Sequence, residues 1–248
     1  MTALLLLACR GSLSPLSNKL EVGQQPYVVF VADGEAGVGD LFASIPAGGH
    51  SFQITFTRVD EELPSLSADG TMLAFIRSRA PGDFQHRALV VMNLLNGAER
   101  RVDADGAVPT ALAWSRDGAR IYLRQGDAVR VTPAPPAALR LAPVASADRP
   151  AADSQLAVLL GAPPLATAVP CDNGVGICAR LVDGSQQTIT RSGRDPARWT
   201  GDSIAYQEDG DWVIRPLAGG KTRALSWAQA SGHPRDLTVF PGHPRVLE

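Results

Sequence analysis

Four histidines, His50, His86, His233 and His243, are the first residues to weigh as ligands or bases. Two of them repeat the string Gly-His-Pro-Arg, at 232–235 and 242–245. A transition-metal site needs a third ligand at short range, and none stands beside either string; a histidine between Gly and Pro is turn composition. Carboxylates gather in VDADGA (102–107) and QEDGD (207–211). Neither has the alternating acids and distal Glu of a calcium loop, so both read as solvated turns. A hydrolase nucleophile on a strand-to-helix turn is written Gly-x-Ser-x-Gly. The nearest string, Gly201-Asp202-Ser203-Ile204-Ala205, lacks the last glycine and runs on into a strand pattern. The expectation is therefore no catalytic residue, no metal and no cofactor. One opening remains, because acids brought together from distant segments leave no trace in sequence spacing.

The three cysteines divide into a pair and a singleton. Cys171 and Cys178 lie in PCDNGVGICARLV, where Asn173-Gly174 is a turn signal because both residues tolerate positive φ. The flanks LATAVPC and ICARLVDG read as strands, so a hairpin sets the two cysteines opposite each other. A disulfide between them would stabilise by roughly 2–3 kcal/mol and imply an oxidising compartment; the other reading is two free thiols in a cytosolic hairpin. Cys9 closes MTALLLLACRGS, and Leu6-Leu7-Ala8-Cys9 resembles a bacterial lipobox, which implies lipidation at Cys9. The apolar run falls short of the ~7–15 residues of an ordinary leader core, so either the start lies upstream or the match is chance. Residues 1–9 are thus expected as a leader and 10–25 (RGSLSPLSNKLEVGQQ) as a flexible tether to a folded body over 26–248. No other stretch approaches the ~20 apolar residues of a membrane span.

Positioning of any site falls to a repeat. LSADGTMLAF (66–75) returns as AWSRDGARIYL from 113 and, shortened, as RWTGDSIAY from 198. Each copy has an apolar or aromatic residue (Leu66, Trp114, Trp199), a polar turn, and then an apolar strand. In the first two the turn is Ser-x-Asp-Gly: Ser67, Asp69, Gly70 and Ser115, Asp117, Gly118. Glycine supplies the left-handed backbone of a tight reversal, and the Asp carboxylate accepts from turn amides. A weaker copy, VFPGHPRVLE, closes the chain with Phe240 in the aromatic place. After each of these strands come another strand, a turn and a fourth, as in RALVVMNLLNGAERRV, DLFASIPAGGHSFQITF and DWVIRPLAGGKTRAL. Short strands in groups of four, recurring roughly every 37–47 residues, predict an all-β propeller of four-stranded antiparallel blades. Phe30, Phe75, Tyr122 and Tyr206 are expected in the blade core.

PSLSADGTMLAFIRSR…ALVVMNLLNGAERRV resembles the blade repeat of the TolB family of periplasmic Tol-Pal propellers. In that family a Trp-Ser-Pro-Asp-Gly turn precedes a strand and a VMDL…G…R…L hairpin closes the blade. Leu66 stands for the Trp and Ala68 for the Pro, and the following unit keeps Trp114, Ser115, Asp117 and Gly118. The resemblance runs over about 26–248, is weakest across the Pro-rich APVASADRPAADSQ, and implies a scaffold rather than an activity. Closure has two solutions. Five blades result if LTVF (237–240) enters the first blade as its inner strand, leaving RVLE as a tail; otherwise a sixth blade is incomplete. The first is preferred because open strand edges invite aggregation.

A net charge of −2 gives no field for nucleic acid, which is not expected as a partner. The longest loop, RSRAPGDFQHRA (77–88), offers Arg77, Arg79, Phe84 and His86 as a candidate partner-binding set. The expected function is a non-catalytic propeller in the bacterial periplasm or at the outer membrane or cell surface, binding a protein or cell-wall partner. Its membrane contact would be the lipid on Cys9. The alternative is a lactonase-like or glycan-cleaving propeller whose acids or metal line the channel.

Overall fold

The computed structural model describes residues 16, 19–46, 50–83, 85–145, 148, 165–170, 176–181, 186–198, 203–209, 211–216, 221–225 and 235–240. Within them the chain is built from strands and turns. The first group is β1 (Tyr27–Asp33), β2 (Gly39–Ser44) and β3 (Phe52–Gln53). The second is β4 (Glu61–Leu66), β5 (Met72–Ser78), β6 (Arg87–Asn93) and β7 (Glu99–Asp103). Next come β8 (Pro109–Trp114), β9 (Arg120–Gln125), β10 (Ala128–Pro133) and β11 (Ala142–Pro143), then β12 (Leu165–Pro170), β13 (Ile177–Leu181) and β14 (Gln186–Thr190). The last are β15 (Arg194–Arg198), β16 (Ser203–Glu208), β17 (Asp211–Pro216), β18 (Arg223–Ala224) and β19 (Arg235–Phe240).

Among the described residues these strands make five antiparallel sheets, ordered β19-β1-β2-β3, β4-β5-β6-β7, β8-β9-β10-β11, β12-β13-β14 and β15-β16-β17-β18. Their innermost strands are neighbours in space: β4 lies against both β8 and β19, and β15 against both β12 and β19. This is the propeller arrangement the repeat implies. Stacking between two neighbours buries both faces of a blade. That explains why second and third strands read as unbroken apolar runs rather than alternating ones. In β5, Leu73 and Phe75 pack toward β1 and β2 of the first sheet, while Ala74 and Ile76 pack toward β8 and β9 of the third. Phe30, Phe75, Tyr122 and Tyr206 are all buried, as the repeat demanded.

The Ser-x-Asp-Gly turns have the geometry the residue types require. The Ser67 hydroxyl donates to Asp69 Oδ1 at 2.5 Å and accepts the Met72 amide at 3.0 Å, and Asp69 Oδ1 also accepts the Thr71 amide at 3.0 Å. Gly70 stands at φ +67°. In the next sheet the Ser115 hydroxyl donates to Asp117 at 2.5 Å, Asp117 accepts the Ala119 amide at 3.0 Å, and Gly118 stands at φ +68°. Burial works against the Asp69 carboxylate, yet the Ser67 and Thr71 bonds outweigh it and hold its pKa below the usual range.

Two turns of one spelling have different surroundings. A Cβ at Gly118 would meet nothing, whereas one at Gly70 would sit 2.7 Å from the Phe240 ring. Phe240 ends β19, which pairs with β1 from Tyr27↔Phe240 to Val31↔Arg235, with a bulge at Asp236. The LTVF segment thus occupies the inner place of the first sheet. The Tyr27 hydroxyl donates to the Gly70 carbonyl, and its ring lies 5.5 Å from that of Phe240. The two ends of the described chain meet at one turn of the second sheet.

Two expectations are corrected here. The sequence predicts a flexible tether over 10–25, but Leu16 and Leu20 are buried in the core between the first two sheets, with Val22 packed against them. The Lys19 and Leu20 amides bond to the Leu16 carbonyl at 3.0 and 3.2 Å, and this single turn puts both leucines on one side. Gly23 then passes so close to the blade turn that a Cβ would lie 2.9 Å from Thr71 Cγ2. The second correction concerns SFQITF, which reads as a strand. Only Phe52–Gln53 pairs with β2, and from Ile54 the chain leaves the sheet.

Candidate functional site at the mouth of the inner strands

Each inner strand is bulged against its second strand near its beginning: between Pro109 and Ala111 in β8, between Glu62 and Ser65 in β4, and at Asp236 in β19. The same break occurs between Leu165 and Thr167 in β12 and between Arg194 and Ala197 in β15. A bulge bends the strand and re-aims its side chains, so this end of the ring is where successive sheets can present residues together. Leu63 and Asp236 adopt positive φ there, at +52° and +37°. The Leu63 amide, out of the ladder, donates to Asp236 Oδ2 at 3.1 Å, and the Leu66 amide reaches Thr238 Oγ1 at 3.3 Å. Side chains of β19 therefore satisfy backbone groups of β4 across the seam.

At the same end a carboxylate network ties the first sheet to the second. Asp40, buried at the start of β2, accepts the Thr57 amide at 3.0 Å and hydroxyl at 3.2 Å on Oδ1, and the Gln53 amide group at 2.9 Å on Oδ2. Asp60 accepts the Gly39 amide at 3.1 Å. Glu61, first residue of β4 and 0% exposed, takes the Arg77 Nε–H at 2.7 Å on one oxygen and the Thr55 hydroxyl on the other. Thr55 in turn accepts the Leu41 amide at 2.9 Å. The Arg77 guanidinium continues to Glu99 through two bonds of 2.7 and 2.8 Å, and lies 5.0 Å over the Phe75 ring. Burial pushes the Glu61 carboxyl up to about 7, against the pull of Arg77 and Thr55 and with a smaller push from Asp40. For Arg77, burial disfavours the cation, but Glu99 and Glu61 more than compensate and its pKa rises.

A carboxyl titrating near neutrality has the profile of a general acid. Glu61 cannot serve as one in this arrangement, because both oxygens are engaged inside the protein and no part of it reaches solvent. Its chemistry is that of a clamp, joining β4 to the loop that leaves β3 and, through Arg77, to β5 and β7.

The loop set expected from sequence is redistributed. Arg77 is not a loop residue: the β5–β6 ladder continues to Ser78↔Arg87, and Arg77 is held in the clamp. Arg79 pairs with Asp103 at 2.6 Å and Asp105 at 3.3 Å, so the VDADGA acids close onto the loop. His86 Nδ1 lies 3.0 Å from Asp83, which also accepts the His86 and Gln85 amides. Phe84 lies outside the described residues, as do Cys9, Cys171, His233 and His243. His50 is exposed. Cys178 is disulfide-bonded. On the ladder Cys178 stands opposite Val169, and Pro170↔Ile177 is the last pair among the described residues. Among the described residues no group of three or more His, Cys, Asp or Glu side chains could hold a metal ion.

Two residues at this mouth escaped sequence reasoning. Phe56, 74% exposed, and Arg58, also exposed, stand on the loop from β3 to β4, between the two buried carboxylate anchors. The alternation Phe52, Ile54, Phe56 suggests one buried strand face. The available signal was Thr-x-Thr followed by Asp and Glu within six residues, a composition able to fold a loop upon its own side chains.

Neither a protein-family model nor a curated protein sequence matches the chain. Solved structures similar to it include TolB from Acinetobacter baumannii, with 13% identity and a TM-score of 0.45 over 81% of this chain and 52% of that one. This chain thus spans about half the length of that TolB. A chain from Agrobacterium tumefaciens assigned as a TolB matches at 14% identity and a TM-score of 0.34, over 87% of this chain and 71% of that one. A Bacteroides fragilis chain assigned as a 6-phosphogluconolactonase matches at 13% identity and a TM-score of 0.32, over 81% and 67%. At these values the fold rests on the strand order described above, and no residue role is transferred.

Proposed function

We propose that the chain is a non-catalytic propeller of the bacterial cell envelope that binds a protein or cell-wall partner through the mouth of its inner strands, tethered by a lipid on Cys9. The observation that carries this reading is the clamp. Among the described residues, the carboxyl whose titration would suit catalysis, Glu61, is enclosed by Arg77 and Thr55, and the neighbouring Arg79 and His86 are tied to acids of the same chain. Such pairing makes a fixed surface rather than a reactive one. The bonded state of Cys178 favours an oxidising compartment over the cytosol.

Location and turnover test this together. Cells expressing the protein from its native gene are fractionated, and thiols are labelled with a maleimide before and after reduction. The expected result is recovery with the envelope and labelling of Cys178 only after reduction. A cytosolic protein with a freely labelled Cys178, or a purified chain that hydrolyses lactone or glycosidic probes, overturns the reading.

A further inference from the structure

Building on the interaction-module reading, the geometry points to Phe56 and Arg58 as the anchor of the interface, fitted to a protein partner that offers an apolar pocket rimmed by carboxylates. Single exposed apolar residues are common on protein surfaces and need no purpose. Phe56 differs in how it is held. Thr55 on one side is buried between the Leu41 amide and Glu61, and Thr57 on the other is fixed by Asp40 and the Val59 carbonyl. Asp60 pins the far end of the loop through the Gly39 amide and, by its own carbonyl, the Ser78 amide. Two buried carboxylates and two threonines thus hold the backbone on both sides of an outward-facing ring. The ring cannot turn into the core without breaking them. An anchor immobilised before binding loses little freedom when a partner covers it.

Charge selects the partner. Arg77, Arg79 and Arg87 are each paired with acids of this chain, at 2.7, 2.6 and 3.2 Å. Arg58, two positions from the ring, makes no ion pair among the described residues. An exposed guanidinium beside an aromatic ring is the pairing enriched at protein interfaces, and its complement is a carboxylate. Val108, 51% exposed, stands just before β8, on the link from the second sheet to the third. Leu95, 54% exposed, lies in the β6–β7 turn at the opposite end and serves as an internal control.

The test is a phage-displayed library of random peptides panned against the whole protein. The anchor predicts a consensus joining apolar residues to Asp or Glu. For the selected peptides, Phe56→Ala should weaken binding about tenfold or more, and Phe56→Trp should retain it. Arg58→Glu should weaken it too, with a loss that shrinks at high salt, and Leu95→Ala should change nothing. Because Phe56 is exposed, thermal unfolding of Phe56→Ala should match the parent. Peptides that bind Phe56→Ala and Arg58→Glu as tightly as the parent, or a library that yields no such consensus, overturn the anchor. The interaction-module reading fails by separate measurements, those of location and turnover.

Discussion

Gly70 and Gly118 carry the same turn and the same left-handed backbone, so an alanine at either meets the steric cost of positive φ, about 1–2 kcal/mol. Only at Gly70 would the added methyl also press into a ring, that of Phe240, which is itself buried. Gly118→Ala should therefore cost about 1–2 kcal/mol in urea unfolding, and Gly70→Ala clearly more. Equal losses would mean that Phe240 does not seat on the turn. Glu61 makes a second residue-scale prediction. Its carboxyl rises from 4.5 to about 7 on folding, so the folded protein holds the proton more tightly than the unfolded chain. Stability from this group is complete below about pH 4.5 and is lost as pH climbs through 7, a change on the order of 3 kcal/mol at most. Glu61→Gln removes the titration while retaining one oxygen to accept from Arg77 and placing its amide NH2 against the Thr55 hydroxyl oxygen. The parent should lose melting temperature between pH 5 and 7.5 relative to Glu61→Gln; parallel curves would mean that Arg77 keeps Glu61 ionised throughout.

At the scale of elements, the docked segment before β1 gives the sharpest test. A tether would tolerate any substitution, whereas Leu16→Ala or Leu20→Ala should cost about 2–5 kcal/mol if both leucines fill the core between the first two sheets. Chemical denaturation of the two variants separates these outcomes. The strands themselves were legible because blades bury both faces: VVFVA, MLAFI and ALVVM admit few other readings, and Ser-x-Asp-Gly marks where they reverse. The end of β3 was not legible. Ile54 is buried as its alternation suggests, but its amide bonds to the Leu41 carbonyl while the chain turns off the sheet, and Thr55 and Thr57 then bond to acids from two other strands. Nor could Glu61 and Arg77 be paired on paper. They face each other only because the β4–β5 ladder slips between Glu62 and Ser65, a bulge that no single residue announces. Spacing along the chain predicts local structure well, and it says little about side chains that meet across a slipped register.

Taken whole, the molecule depends on β19. This strand covers the inner edge of β1, lends Asp236 and Thr238 to the amides of β4, and seats Phe240 beneath the second sheet's turn. One strand from the far end of the sequence thus touches both of the first two sheets, and its docking brings widely separated segments into one cooperative unit. Ending the chain before Arg235 would uncover the edge of β1, Tyr27–Asp33, whose run of Val, Phe and Ala has no charge until Asp33. An exposed edge of that composition pairs with other chains. The truncated protein is therefore expected to leave the monomer peak in size-exclusion chromatography with light scattering, and to bind an amyloid dye as protein concentration rises. Adding the peptide Arg235–Phe240 in excess should restore part of the monomer, since it supplies the missing strand. A truncated chain that stays monomeric and melts in one transition near the parent's temperature would show that closure through β19 contributes little to this fold.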